Sequence, residues 1–268
     1  MTIESPANPT VKAARKLARR RDRLRRGAFL VEGPEVVREA AGALVEVFVA
    51  TDADARVRAL AADVADAGVP VHTVTPAVLA SFADTVTPQG IVGVATLESP
   101  TLERALSGAT FAVLCCGVSD PGNVGTIVRT ADAAGLDAVL LGAGSADARN
   151  PKAVRASAGS LFHLPVVDAV DPAEAVAAAR QRGMTAVAAD AHGSRAHTDL
   201  DLTAATLLVL GGEAHGVPEA VAAACDVVAR VPMASVARPG WSGAAESLNV
   251  AATAAVLCFE AARQRGVR

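Results

Sequence analysis

The apolar positions of this chain fall into short runs separated by segments of helical period. The first runs are FLVE at 29–32, LVEVFVA at 44–50, VPVHTV at 69–74 and IVGVATL at 91–97. Each fits strand length, and the alanine-rich segments between them carry apolar residues three and four apart, which predicts a small α/β domain. Ahead of them, Asn8 and Pro9 predict a helix start, as N-cap and first helical residue, and Gly27 predicts its stop. One helix is therefore expected across the intervening residues. The stretch LESPTLERALSGAT, 97–110, mixes Pro, Ser, Gly and charge and is the expected linker, with a boundary near residue 105.

A second series follows: FAVLCCGV, AVLLG, HLPVV, MTAVAAD, TLLVLGG and DVVARVPM. Helical patterns near 123–135, 151–158, 172–182, 218–224 and 247–264 intervene between most of these runs or close the series. Strands alternating with helices in this way predict a parallel sheet covered on both faces. The expected plan is a helix over 1–26, a first domain over 27–104 and a second over 105–268. There is no internal repeat.

Composition narrows the class. A hydrophobic content of 51%, a charged content of 20% and a mean hydropathy of +0.35 can bury a sizeable core, which excludes disorder as the main state. In the C-terminal helix pattern the run Val250–Phe259 is about half of what a bilayer span needs. No secretory leader pattern opens the chain, so the expectation is a cytoplasmic protein without a membrane segment. Cys115 and Cys116 are adjacent in an apolar run, and Cys225 and Cys258 stand alone in apolar surroundings. With no CxxC, no HExxH and no clustered histidines, neither a disulfide framework nor a metal site is expected.

The net charge of −3 conceals an asymmetry. Residues 11–26 hold nine basic side chains against Asp22 alone, a charge of +8, and leave −11 on the rest of the chain. A basic arm of this kind points to a polyanion, nucleic acid first and an anionic surface second; the alternative is a solvated helix face. The candidate contacts are Lys12, Arg15, Lys16, Arg19, Arg20 and Arg23.

Familiar ligand motifs of α/β proteins fail. GAGSADA at 142–148 lacks the third glycine of the dinucleotide fingerprint, and neither a P-loop nor GxSxG occurs. Three other segments are unusual for a plain core. In DPGNVGTIVRTADAAG, 120–135, Val124, Ile127, Val128 and Ala131 make a buried helix face and Arg129 points away from it. In LVLGGEAHGVP, 208–218, three glycines surround Glu213 at a strand end, where they let backbone approach a ligand closely or simply form a tight turn. In VPMASVARPGWSGAAESLNVAATAAVLCFE, 231–260, an apolar helix face Leu248, Ala252, Ala255, Phe259 is preceded by Glu246, Ser247 and Asn249, with Ser247 or Glu246 as the expected cap. Taken singly, each segment has an ordinary structural explanation.

In this order, NVGxIxRTAxAxG, LVLGxExxGV and PM followed by ESLNV resemble the three motifs of the SpoU (TrmH-type) RNA 2′-O-ribose methyltransferases of the SPOUT superfamily. SPANPTVK, FLVEG, PQGIVGVA and RASAGSLFHLPV also look like family segments, so the resemblance covers nearly the whole chain. It implies an N-terminal L30e-like α/β substrate-binding domain and a parallel-sheet SPOUT domain with a C-terminal trefoil knot. It also implies S-adenosylmethionine as cofactor, a homodimer, and RNA as substrate, ribosomal RNA ahead of transfer RNA. By motif position, Asn123, Arg129, Glu213, Ser247 and Asn249 match the family's catalytic set. Gly211, Val231 and Leu248 match its cofactor contacts, with Gly212 and Met233 close by.

The segment ASVARPGWSGAA between Met233 and Glu246 is longer than the family's usual spacing. It carries Arg238 and Trp241, which are candidates for a phosphate contact and for stacking on an unpaired base; the alternative is a surface loop whose Trp241 covers apolar neighbours. With 3% aromatic residues and no tyrosine, RNA recognition is expected to rest on phosphate charge and shape more than on rows of stacked bases. Two competing readings are a non-catalytic RNA-binding protein on the same fold and a nucleotide-dependent α/β enzyme of another kind.

Overall fold

In the computed structural model, which describes residues 2–85, 87–234 and 245–267, the basic arm starts at Asn8 as expected and then breaks. Helix α1, Pro9–Lys16, is capped by the Asn8 side chain, which accepts from the Thr10 amide at 2.9 Å. Helix α2, Arg20–Arg26, ends at Gly27, whose φ of 61° is the left-handed conformation glycine adopts without strain. Between them the amides of Leu17, Ala18 and Arg19 bond carbonyls only three residues back, which tightens the chain into a turn.

The cause of the break is Arg23. Its side chain is buried, donates to the freed carbonyls of Leu17 at 3.1 Å and Ala18 at 2.9 Å, and pairs with Asp147 at 2.7 Å. The expected single helix is thus two short ones bent around a buried guanidinium. Charge counting along the sequence treats all nine cations alike and cannot see that one of them points inward.

Four strands follow: β1 Ala28–Glu32, β2 Leu44–Ala50, β3 Val71–Val74 and β4 Ile91–Thr96. Helices α3 Pro34–Glu39, α4 Ala55–Asp66 and α5 Pro76–Ala80 lie between them in sequence. The sheet order is β1-β4-β2-β3, with β4 antiparallel to both neighbours and β3 parallel to β2. Aromatic rings fill its core: Phe48 meets Phe82 edge to face at 5.0 Å, and Phe29 stacks with Phe162 at 6.1 Å.

The second series contains α6 Leu102–Ala105, β5 Phe111–Cys116, α7 Pro121–Ala133, β6 Ala138–Gly142, α8 Pro151–Ser157, β7 Val166–Val170 and α9 Pro172–Gln181. It continues with β8 Thr185–Ala189, β9 Arg195–Ala196, β10 Thr206–Gly211, α10 Glu219–Ala224, β11 Val227–Arg230 and α11 Val250–Gln264. All six expected strands are present in one parallel sheet of order β7-β6-β5-β10-β8-β11-β9. The two-residue β9 is too short to leave a hydrophobic pattern. Strand β7 begins at Val166, later than HLPVV suggests, because a 3-10 turn over Ser160–Phe162 and then Pro165 occupy its expected start.

The chain packs as two units, Met1–Glu98 with Asp147–His163 and Ser99–Ala146 with Leu164–Arg268. Helix α8 packs on β1 in the first unit, although its sequence neighbours β6 and β7 belong to the second. The expected linker is partly structured: Leu102, Ala105 and Leu106 are buried in the second unit's core, and the Ser99 hydroxyl donates to the Val166 carbonyl.

In that core Leu114, Leu140, Ala186, Val209 and their neighbours exclude solvent, with small residues outnumbering large ones. On α7 the predicted face Val124, Ile127, Val128 and Ala131 is buried. Helix α11 differs from its pattern in one respect. Its buried side is Val250, Ala251, Ala254, Leu257, Cys258, Ala261 and Ala262, so of the apolar face read from Leu248, Ala252, Ala255 and Phe259 only Ala255 is half-buried and the rest is left exposed.

Candidate active site

The second sheet changes winding direction between β5 and β10: β6 and β7 lie to one side of β5, and β10, β8 and β11 to the other. Ligands of open parallel sheets bind beyond the carboxyl ends of strands at such a place. A cleft of about 570 Å³ opens at this end of the sheet, on the β10 side of that place, walled by the ends of β8, β10 and β11 and by the residues that lead into α11.

Its floor depends on glycine. A Cβ added to Gly211 would lie 1.9 Å from the carbonyl carbon of Gly216, and one on Gly212 would lie 2.2 Å from the Gly117 oxygen. No side chain fits at either position. The chain doubles back through a turn closed by the Gly216 amide on the Gly212 carbonyl at 2.9 Å, and Gly216 holds a φ of 65°. The three glycines read from LVLGGEAHGVP therefore form a tight turn packed backbone against backbone, the alternative offered by the sequence, and the turn places Glu213 in the cleft lining.

The catalytic and cofactor candidates read from the sequence can be located relative to this frame. Gly211, Gly212, Val231, Met233 and Leu248 all line the cleft, as do Glu213, Ser247 and Asn249. Asn123 reaches it through hydrogen bonds. Its Nδ2 donates to Glu213 Oε1 in a short contact, and its Oδ1 accepts from Asn249 Nδ2 at 3.3 Å. Asp120 caps α7 by accepting from the Asn123 amide at 3.0 Å, which holds that side chain at the helix start.

Asn249, not Ser247 or Glu246, caps α11: its Oδ1 accepts from the Ala251 amide at 2.9 Å and the Ala252 amide at 3.4 Å. The same side chain therefore starts α11 and bonds Asn123. Arg129 lies on the exposed side of α7, six residues beyond Asn123 or about 9 Å of helical rise, and is not part of the cleft lining.

Of the basic arm, Lys12, Arg15, Lys16, Arg19 and Arg20 are exposed, whereas Arg23 is 4% exposed and already engaged. Arg238 and Trp241 lie outside the described residues. Sequence reading did not single out Asp190 or His192, both of which line the cleft from the end of β8. The cysteines are free thiols, and burial pushes Cys116 and Cys258 up to about 12, far from the reactive thiolate form. Among the described residues no group of three His, Cys, Asp or Glu side chains could hold a metal, and no helix is long and apolar enough to cross a membrane.

The fold and cleft define a class: an α/β domain on a parallel sheet, with a glycine-floored cleft and a small polar network at the ends of its strands. Residues 110–259 match the model of the SpoU rRNA Methylase family, and residues 8–93 that of the MRM3-like substrate binding domain. The chain belongs to the SpoU rRNA methylase family.

A similar protein is the 23S rRNA (guanosine(2553)-2′-O)-methyltransferase RlmP of Bacillus subtilis (strain 168), 34% identical over 260 residues, spanning 96% of this chain and 97% of the relative. The 23S rRNA (uridine(2479)-2′-O)-methyltransferase of Streptomyces viridochromogenes is 38% identical over 66% of this chain and 61% of its own length. Among solved structures, the SpoU methyltransferase AviRb of Streptomyces viridochromogenes in complex with AdoMet superposes with a TM-score of 0.83 at 30% identity, covering 97% of this chain and 99% of that one. An AdoMet-bound rRNA methyltransferase of Sinorhizobium meliloti superposes with a TM-score of 0.83 at 30% identity, covering 98% and 97%.

Proposed function

We propose that this protein transfers a methyl group from S-adenosylmethionine to a ribose 2′-hydroxyl of RNA, with ribosomal RNA as the substrate and the cytoplasm as the place of work. The observation that carries this reading is the cleft itself. Its glycine floor lets a ligand lie against backbone, and Val231, Met233 and Leu248 offer apolar surface for a purine. No Lys or Arg stands among the described lining residues, so no cation of the lining repels a ligand bearing a positive sulfonium. When bound, that group supplies an activated methyl.

The chain's own task is to prepare the hydroxyl, a weak nucleophile that must lose its proton as it attacks. The Asn249–Asn123–Glu213 hydrogen-bond chain supports a role for Glu213 and its neighbours in orienting the ribose. Arginine's very high pKa disfavours Arg129 as a base. We assign it electrostatic stabilisation of the developing alkoxide or of the adjoining phosphate, where its planar fork matters. Arg129→Lys with full activity at neutral pH would contradict that role.

The first unit, with its exposed cations and its match to a substrate binding domain, is read as an L30e-like RNA-holding domain. The C-terminal part is read as the family's trefoil knot. A homodimer is supported by the uncovered apolar ring of Phe259 on α11, which is 51% exposed. Titration with S-adenosylmethionine, NAD and ATP tests the cofactor reading. Binding of the methyl donor alone is expected, and binding of either nucleotide in its place would overturn it.

A further inference from the structure

The cleft has a wall that motif reading leaves blank. Strand β8 lies between β10 and β11 in the sheet, with Ala188 beside Val209 and Ala189 beside Ala229. Asp190, the next residue, therefore stands at the carboxyl end of the middle strand of three, between the ends that carry Gly211 and Val231. Its amide still bonds the Ala229 carbonyl at 2.9 Å, so its backbone is fixed by the sheet.

The side chain is fixed as well. Oδ1 accepts from the His192 amide at 2.7 Å, which leaves Oδ2 on the cleft side, 4.0 Å from where a Cβ on Gly216 would sit. The other carboxylate of the lining, Glu213, is held on a different element by Asn123. Asp190 thus presents one oriented, strongly accepting oxygen at a strand end beside a glycine turn. Parallel sheets that bind dinucleotides place an acidic side chain against the ribose hydroxyls, and the same chemistry is open to a carboxylate at this strand end.

We propose that Asp190 binds the ribose hydroxyls of the cofactor's adenosyl group through Oδ2 and so selects an adenosine-type ligand. This inference rests on the reading of the cleft as the S-adenosylmethionine site. A directional contact is favoured over a general attraction for the sulfonium, because the His192 amide orients the carboxylate and charge attraction needs no orientation.

The test is isothermal titration of the full chain with S-adenosylmethionine, with the demethylated thioether S-adenosylhomocysteine, and with the 2′-deoxy and 3′-deoxy forms of the thioether. For the wild type, loss of a gripped hydroxyl is expected to weaken binding about tenfold. Asp190→Asn keeps an acceptor for the His192 amide. It is expected to weaken both the sulfonium and the thioether ligand by a similar factor, about tenfold, and to show a smaller further loss with the deoxy forms than the wild type does.

Equal wild-type affinity for deoxy and normal ligands overturns the proposal without recourse to any variant. Weakening of the sulfonium ligand alone in Asp190→Asn overturns it in favour of charge attraction. A wild-type protein that binds neither ligand overturns the cofactor reading itself.

Discussion

The two units fill their cores in opposite ways. Four of the six phenylalanines, Phe29, Phe48, Phe82 and Phe162, pack in the unit built on the four-stranded sheet. Among the described residues of the unit built on the seven-stranded sheet, Phe111 is the one buried phenylalanine, and alanine, valine and leucine supply most of the packing. Rings fill space where strands and helices stand apart. Small side chains let backbones approach until a Cβ no longer fits, and that close approach shapes the cleft at Gly211 and Gly212. The first unit should therefore fail when atoms are removed, and the second when atoms are added.

The largest effect is expected from Gly211→Val, since its Cβ would fall 1.9 Å from backbone that has no flexible end to yield. Cofactor binding should be abolished in titration, with a loss of about 4 kcal/mol or more in denaturant unfolding. Phe48→Ala, at a fully buried ring, should lower the stability of the first unit by about 3 to 5 kcal/mol while cofactor affinity stays within twofold of wild type. Little loss of stability in Phe48→Ala, or normal cofactor binding in Gly211→Val, would erase the contrast between the two cores.

Arg23→Met comes next. It leaves Asp147 without its guanidinium and the carbonyls of Leu17 and Ala18 without donors, at a cost of about 3 kcal/mol measurable by urea unfolding. The smallest effect on stability should come from neutralising exposed members of the same arm. Arg15→Gln and Arg19→Gln should leave unfolding unchanged within about 0.5 kcal/mol. Each should flatten the salt dependence of RNA affinity by about 0.7 to 0.9 in log–log slope, because each phosphate contact releases its own counterion. Removing the whole arm would be a poorer test, because Val11, Leu17 and Arg23 are buried and their loss would damage the first unit as well.

Local signals in the sequence were enough for most of the fold. The strand runs of both sheets carry their own apolar signature, and the spacing of Val124, Ile127, Val128 and Ala131 identifies the buried side of α7 directly. What stayed hidden depends on partners distant in sequence. Arg23 looks like its neighbours until Asp147 arrives, 124 residues later. Ser247 and Asn249 are equally plausible caps by residue type, and only the path of the chain into α11 decides between them.

The site divides in the same way. Glu213 and its glycines form one contiguous motif and could be read as a unit. Asp190 closes a strand whose place between β10 and β11 is set by crossovers, so nothing adjacent to it in sequence marks it as part of the cleft. Arg129, legible as the polar member of an amphipathic helix, stands outside the cleft lining.

The central claim, methyl transfer to a ribose hydroxyl by the second unit on RNA held by the first, is tested most directly by one measurement. Ribosomal RNA is incubated with the protein and methyl-labelled S-adenosylmethionine, then digested with alkali. The label is expected in alkali-resistant dinucleotides, because a methylated 2′-oxygen cannot attack the neighbouring phosphate. Label on the bases alone, or none on RNA at all, would contradict the account.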